Sequence, residues 1–185
     1  MVMKITQKWL DELDANLSLF NSAFNLLDSK SLNWKPDAKS WSVGQCIHHL
    51  ITTNNLYFPV FQDLINGKHK TPFMANIPGA TNMFGNLIYK SLNEDRKKKY
   101  KTFPVFEPSA SSISENILND LEANHLKLKK AISGLSNAML NASMASPANK
   151  IVVYKISKAL DIICTHERRH YHQAKEVLEL AKLNS

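Results

Sequence analysis

Cys164-Thr165-His166-Glu167-Arg168-Arg169-His170-Tyr171-His172-Gln173 lies in the C-terminal part of the chain, within a run whose apolar residues recur at helical steps. Ile156, Leu160 and Ile163 lead into it, and Ala174 and Val177 lead out at the same spacing, so a helix is expected over 154–180. His166 and His170 are four residues apart and therefore share one helix face. Both stand where the pattern calls for apolar side chains. A half-buried polar group needs a partner. One metal ion would serve two neutral imidazoles held a turn apart on a rigid backbone.

Three further helices are legible. The first is expected over 4–27, with Trp9/Leu10, Leu13, Leu17, Phe20, Phe24 and Leu27 as its inner stripe and Asp11, Glu12, Asp14, Asn16 and Ser18 off it. The second starts near Ser42, where Ser42 and Gln45 have the spacing of a capping box, and runs to 65 before Asn66-Gly67. Its stripe reads Val43, Cys46/Ile47, Leu50, Tyr57, Val60/Phe61 and Leu64, and Pro59 predicts a kink or break. The third is expected over 112–135, opened by Ser112-Ile113-Ser114-Glu115 as a second capping box, with His125 on its inward stripe.

Between these lie 28–39 and 137–150, read as loops, and the long stretch 68–109, broken by Pro72, Pro78, Pro104 and Pro108. A short helix over 81–92 is expected there, with Met83, Phe84, Leu87 and Ile88 inward. A connection this long is the natural lid or rim of a site, and equally the natural place for an uninformative insertion. No repeats or strands are evident. The expected fold is all-α: a single domain over 1–185 built as a four-helix bundle with a long connection between its second and third helices.

Composition narrows the function classes. With 44% hydrophobic and 21% charged residues, the 185-residue chain is ordinary for a globular domain. The net charge is +7, but its one concentrated basic run is Arg96-Lys97-Lys98-Lys99 with Lys101, and no helix carries a basic stripe with interleaved aromatics, so nucleic acid is not an expected partner. Two cysteines make no disulfide framework, no apolar run reaches signal-peptide length at the N-terminus, and none reaches membrane-spanning length. A cytoplasmic protein is expected.

Three readings of the histidines compete. His166-Glu167-Arg168-Arg169-His170 matches the zincin pattern H-E-x-x-H, but only 15 residues follow it, Gln173 stands where the metzincin glycine falls, and the chain shows no strand to hold a peptide. In the second reading the histidines are surface or hydrogen-bonded core residues and nothing binds. In the third, His49 joins the pair. His49 shares a face with Cys46 and Thr53 at the edge of the apolar stripe, whereas His48 lies on the polar side. Three imidazoles with open positions make a catalytic rather than a structural layout. Imidazole suits zinc, nickel, iron and copper. Cys46, one turn before His49, then reads as a small buried residue, with approach to the ion as the alternative, and Gln173 as an outer support for the ligands.

The stretch Trp41-Ser42-Val43-Gly44-Gln45-Cys46-Ile47-His48-His49-Leu50 resembles the W-S-x-x-[EQ]-x-x-x-H-L opening of the second helix in the DinB/YfiT-like superfamily. His166 to Gln173 is similar to that family's H-x-x-x-H-x-x-Q helix, and Pro36 stands ahead of the W-S turn as it often does there. The resemblance covers the whole chain. It implies a four-helix bundle, often dimeric, with His49, His166 and His170 as ligands of a divalent transition metal such as zinc, nickel or iron. It also implies a hydrolase, or a transferase that uses a low-molecular-weight thiol, acting on a small molecule. The other reading it leaves is a non-catalytic metal-binding or interaction module of the same fold. Arg168 and Arg169 read as solvated, with an anionic substrate as the alternative for one of them.

Overall fold

The computed structural model describes residues 5–92, 102–109 and 112–184, so the basic run at 96–99 and Lys101 lie outside the described residues. Helix α1 (Gln7–Phe24) is followed by a short α2 (Ser29–Asn33), then α3 (Val43–Asn55) and α4 (Phe58–Ile65). After α5 (Ala80–Ser91) come α6 (Ile117–Ser133), α7 (Asn137–Asn141), an antiparallel hairpin of β1 (Ser143–Ser146) and β2 (Asn149–Lys155), and the long α8 (Ile156–Leu183). The chain is mostly helical. Helices α1 and α3 each pack against both α6 and α8.

Local chemistry explains most boundaries. Ser42 accepts from the Gln45 N–H at 3.1 Å while the Gln45 side chain takes the Ser42 N–H, so the expected capping box opens α3. The expected second helix divides in two, with Pro59 near the start of α4, where its missing N–H leaves no helical bond unmade. Gly67, at φ +67°, turns the chain after α4.

Several expectations are corrected. The loop over 28–39 contains α2, because the Asp28 carboxylate accepts the Ser31 N–H and caps one helical turn. Ser112 to Glu115 do not form a capping box. The Glu115 carboxylate instead accepts from Ser29 N–H at 2.8 Å, and α6 begins at Ile117. The loop over 137–150 holds α7 and the hairpin. Ile151-Val152-Val153-Tyr154 is a β-branched and aromatic run of the kind strands favour, and it ends where α8 begins. On α5, Phe84 and Ile88 are half-buried, but Met83 and Leu87 are 60% and 63% exposed, so only part of the expected inner face is covered.

The interior is divided crosswise. One apolar half gathers Trp9, Leu13, Phe61, Leu128, Ile132, Leu160 and their neighbours. The other gathers Phe20, Phe24, Val43, Ile47, Leu50, Leu121 and Val177 with theirs. Burying each such side chain is worth about 1.5–3 kcal/mol. Between the halves each packed helix contributes polar residues: Asn16 from α1, Asn54 from α3, Asn124 and His125 from α6, and Glu167 from α8, all buried. The Glu167 carboxylate, fully buried, accepts from Asn16 Nδ2 at 3.1 Å and Asn54 Nδ2 at 3.0 Å, and lies 3.0 Å from His125 Nε2. Asn54 also donates to Asn124, and Asn124 to Asn55. Asn16 thus belongs to the inner stripe of α1, three residues after Leu13 and four before Phe20, rather than off it.

Candidate metal centre

His49 on α3 and His166 and His170 on α8 meet at one point. His166 Nε2 lies 3.1 Å from His49 Nε2 and 3.0 Å from His170 Nε2, and one ligand atom from each histidine falls within 4.8 Å of the others. His49 and His170 are buried, and His166 is half-buried at the cavity wall. Trp41, just before the α3 cap, places its ring 4.8 Å from that of His49 and 5.8 Å from that of His170.

Ring chemistry decides what such a cluster fits. His49 Nδ1 is 2.5 Å from the Phe106 carbonyl oxygen, so the ring proton is donated there and Nε2 is left with a bare lone pair facing the other two rings. Lone pairs held about 3 Å apart repel unless a proton or a cation sits among them. Two nitrogens bound at about 2.0–2.1 Å to one tetrahedral ion stand about 3.3 Å apart, close to the two separations seen here. The residues present therefore fit a divalent metal ion.

Protons compete poorly for this place. Burial pulls the pKa of His49 down to about 4, against the opposing effect of its bond to Phe106. His166 is held well below the ordinary histidine value by burial first, then by the proximity of His49 and the Arg169 guanidinium. Both are neutral, as metal ligands must be.

A cavity of about 780 Å³ opens onto the triad. Apolar walls come from Trp41, Phe103, Phe106 and Leu180, and polar groups from Gln45, Arg169 and Gln173. The end of the long connection forms one wall, as its reading as a rim required. Three residues of α3 hold it: Gln45 Nε2 donates to the Ser109 carbonyl, Ser109 N–H donates to His48 Nδ1, and His49 donates to Phe106. His48 is thus a wall support beside the site.

The other sequence candidates separate cleanly. Arg168 pairs with Glu12 at 3.0 Å, away from the triad, whereas Arg169 lines the cavity. Cys46 is fully buried in the apolar half that includes Val43 and Ile47. Cys164 is also buried, and burial pushes its thiol pKa up, which disfavours the thiolate. His125 faces Glu167, not the triad; burial opposes its charged form, but the carboxylate prevails and raises its pKa. Glu167 itself points into the core, so the H-E-x-x-H glutamate is not placed as a base beside the histidines. The sequence reading missed the partners of Glu167. The available signal was that Asn16, Asn54 and Asn124 each occupy an inward position between apolar residues.

These features define a mostly helical protein whose three histidines, drawn from two helices, are positioned to bind a metal ion at the wall of a cavity. The chain belongs to the DinB superfamily, whose sequence profile matches residues 12–174. It is 25% identical over 167 residues to the uncharacterized protein YuaE of Bacillus subtilis, covering 90% of this chain and 94% of that protein. No solved structure matches it. Among the described residues, no helix is long and apolar enough to cross a membrane.

Proposed function

We propose that this protein is a metal-dependent enzyme acting on a small molecule, either as a hydrolase or as a transferase that uses a low-molecular-weight thiol. The observation that carries this reading is the meeting of three imidazole nitrogens with the His49 proton committed to Phe106. His49, His166 and His170 would hold a divalent transition metal, with zinc, nickel and iron as the candidates. Bound there, the ion supplies Lewis acidity, which polarises an electrophile and makes water or a thiol acidic enough to react near neutral pH.

The protein's own residues account for the rest. Phe106 fixes the tautomer of His49, and Trp41 packs over two of the three rings. Phe103, Phe106 and Leu180 offer apolar contact to a substrate body, and Arg169 and Gln173 offer donors to a polar group. A cavity of about 780 Å³ suits a small ligand rather than a protein chain. α1, α3, α6 and α8 are read as the four-helix bundle of a single DinB-type domain, working in the cytoplasm as a homodimer.

The test starts with elemental analysis of protein purified without a metal-affinity tag. Near-stoichiometric zinc, nickel or iron that is lost in His49→Ala, His166→Ala and His170→Ala variants supports the site. Metal retained without His49 refutes it. Hydrolysis and thiol-transfer panels with and without chelator then test the chemistry, and turnover that ignores the chelator rules it out.

A further inference from the structure

We infer that the buried Asn54–Glu167 hydrogen bond is the positioning contact of the metal site: it holds α3 against α8 at the separation and rotation that bring His49 to His166 and His170. This rests on the metal-site reading above.

The argument begins with helix geometry. Glu167 follows His166 directly, so its side chain leaves α8 about 100° round from the ligand and points into the core instead of the cavity. Asn54 lies five residues after His49, about 140° round α3 and about 7.5 Å along it. Each helix therefore presents histidine toward the cavity and a polar core residue toward the interior. The two helices touch through both pairs, His49 to His166 at 3.1 Å and Asn54 Nδ2 to Glu167 Oε1 at 3.0 Å. Two contacts at different heights and angles fix rotation as well as distance, which one contact cannot do.

The two pairs differ in what they contribute when no cation is present. With His49 Nε2 a bare lone pair, the His49–His166 pair joins α3 and α8 by at most one neutral hydrogen bond, from an Nε2–H of His166. The Asn54 amide donating to a buried carboxylate is attractive, and charge-assisted bonds are among the stronger kind. Its setting is rigid: Asn54 is braced by Asn124, and the carboxylate is braced by Asn16 and His125. The α3–α8 spacing is thus prepared before an ion arrives, and Glu167 acts on the metal only through the helix that carries His166.

Asn16 supplies the internal control. It donates to the same carboxylate at 3.1 Å and to the Cys164 carbonyl, but from α1, which provides no ligand. Loss of Asn16 and loss of Asn54 both remove one buried donor from Glu167, yet only the second loosens the helix pair that makes the site.

The experiment compares Asn54→Ala, Asn16→Ala and Glu167→Gln with the wild-type chain. Zinc affinity is measured by competition with a chromophoric chelator, the d–d spectrum of the cobalt(II)-loaded protein is recorded, and metal-free stability is measured by urea unfolding. Asn54→Ala and Glu167→Gln are expected to weaken zinc binding by about 10- to 100-fold and to alter the cobalt spectrum, as loss of an outer support typically does. Asn16→Ala is expected to lower stability while leaving zinc affinity within about threefold and the cobalt spectrum unchanged. Equal losses of affinity in the two asparagine variants, or none in Asn54→Ala, would overturn the inference. If Glu167→Gln does not fold, the asparagine pair decides alone. If wild-type protein binds no metal, the metal reading fails by itself. The positioning claim is then decided by crystal structures of the metal-free chains, in which the His49–His166 separation of 3.1 Å must widen in Asn54→Ala and hold in Asn16→Ala; an unchanged separation in Asn54→Ala refutes it.

Discussion

Acidifying the metal-free protein should unfold it through the triad, with His49 as the measurable share. Its pKa falls from 6.5 in an unfolded chain to about 4 in the folded one, because the buried ring resists charge. The unfolded chain therefore takes up a proton near pH 6.5 that the folded chain refuses until near pH 4. Stability from this group is complete above the upper value and drains away as pH falls between the two. The difference corresponds to about 3 kcal/mol. His166 adds in the same direction. His125 acts oppositely: its raised pKa gives a contribution that is whole below the unfolded value and fades as pH rises through the folded one. The assay is urea unfolding in chelator at half-unit steps from pH 4 to 8, for wild type and His49→Gln. His125 is common to both chains, so the difference between the two curves reports His49 together with the part of the His166 depression that His49 causes. Wild type should lose at least about 3 kcal/mol more than the variant between pH 6.5 and 4. A difference that stays flat across that window would refute the assignment of a buried, neutral His49.

Metal retention should follow from the same pKa depression. Zinc affinity is expected to drop by less than about tenfold between pH 7 and 5.5, where two ordinary histidines would lose about 100-fold; chelator competition at each pH checks this, and a loss of 100-fold or more contradicts it. Gly44→Ala should lower stability by about 1–3 kcal/mol, because the added methyl would lie 2.9 Å from Ile113 Cβ, too close to its backbone for a simple rotamer change; an unchanged urea midpoint would show that 112–116 yields freely. Leu128→Ala, fully buried on α6, should lose about 2–5 kcal/mol in the same assay yet leave zinc affinity intact, since the residue packs in the apolar half with Trp9, Leu13 and Phe61.

The core helices were legible because their apolar residues keep one period over many turns, and the α3 start because Ser42 and Gln45 write a capping box into the sequence. Pro59 announced the break between α3 and α4. The hairpin was not legible: its strands are only four and seven residues long, and β2 runs straight into α8, so its Val-Val-Tyr end reads equally well as a helix lead-in. The helix positions of His166 and His170 follow from spacing alone, but bringing His49 to them is a tertiary fact that the family resemblance supplied. Asn16 was misplaced because a polar residue on an apolar stripe looks like a gap in the stripe. Only the three-dimensional partner, Glu167, shows that the gap is filled.

The transverse polar layer also decides which packings are forbidden. Above and below it the core is leucine, isoleucine and phenylalanine, surfaces that would mesh nearly as well if one helix slid by a turn. Such a slip of α8 would carry Glu167 to the level of Ile163, into the apolar cluster and away from Asn16, Asn54 and His125. An unpaired carboxylate there is strongly destabilising, at about 3–5 kcal/mol or more. Misregistered arrangements are thereby lifted well above the native one, and the chain gains a single alignment of its helices in place of several near-equivalent ones.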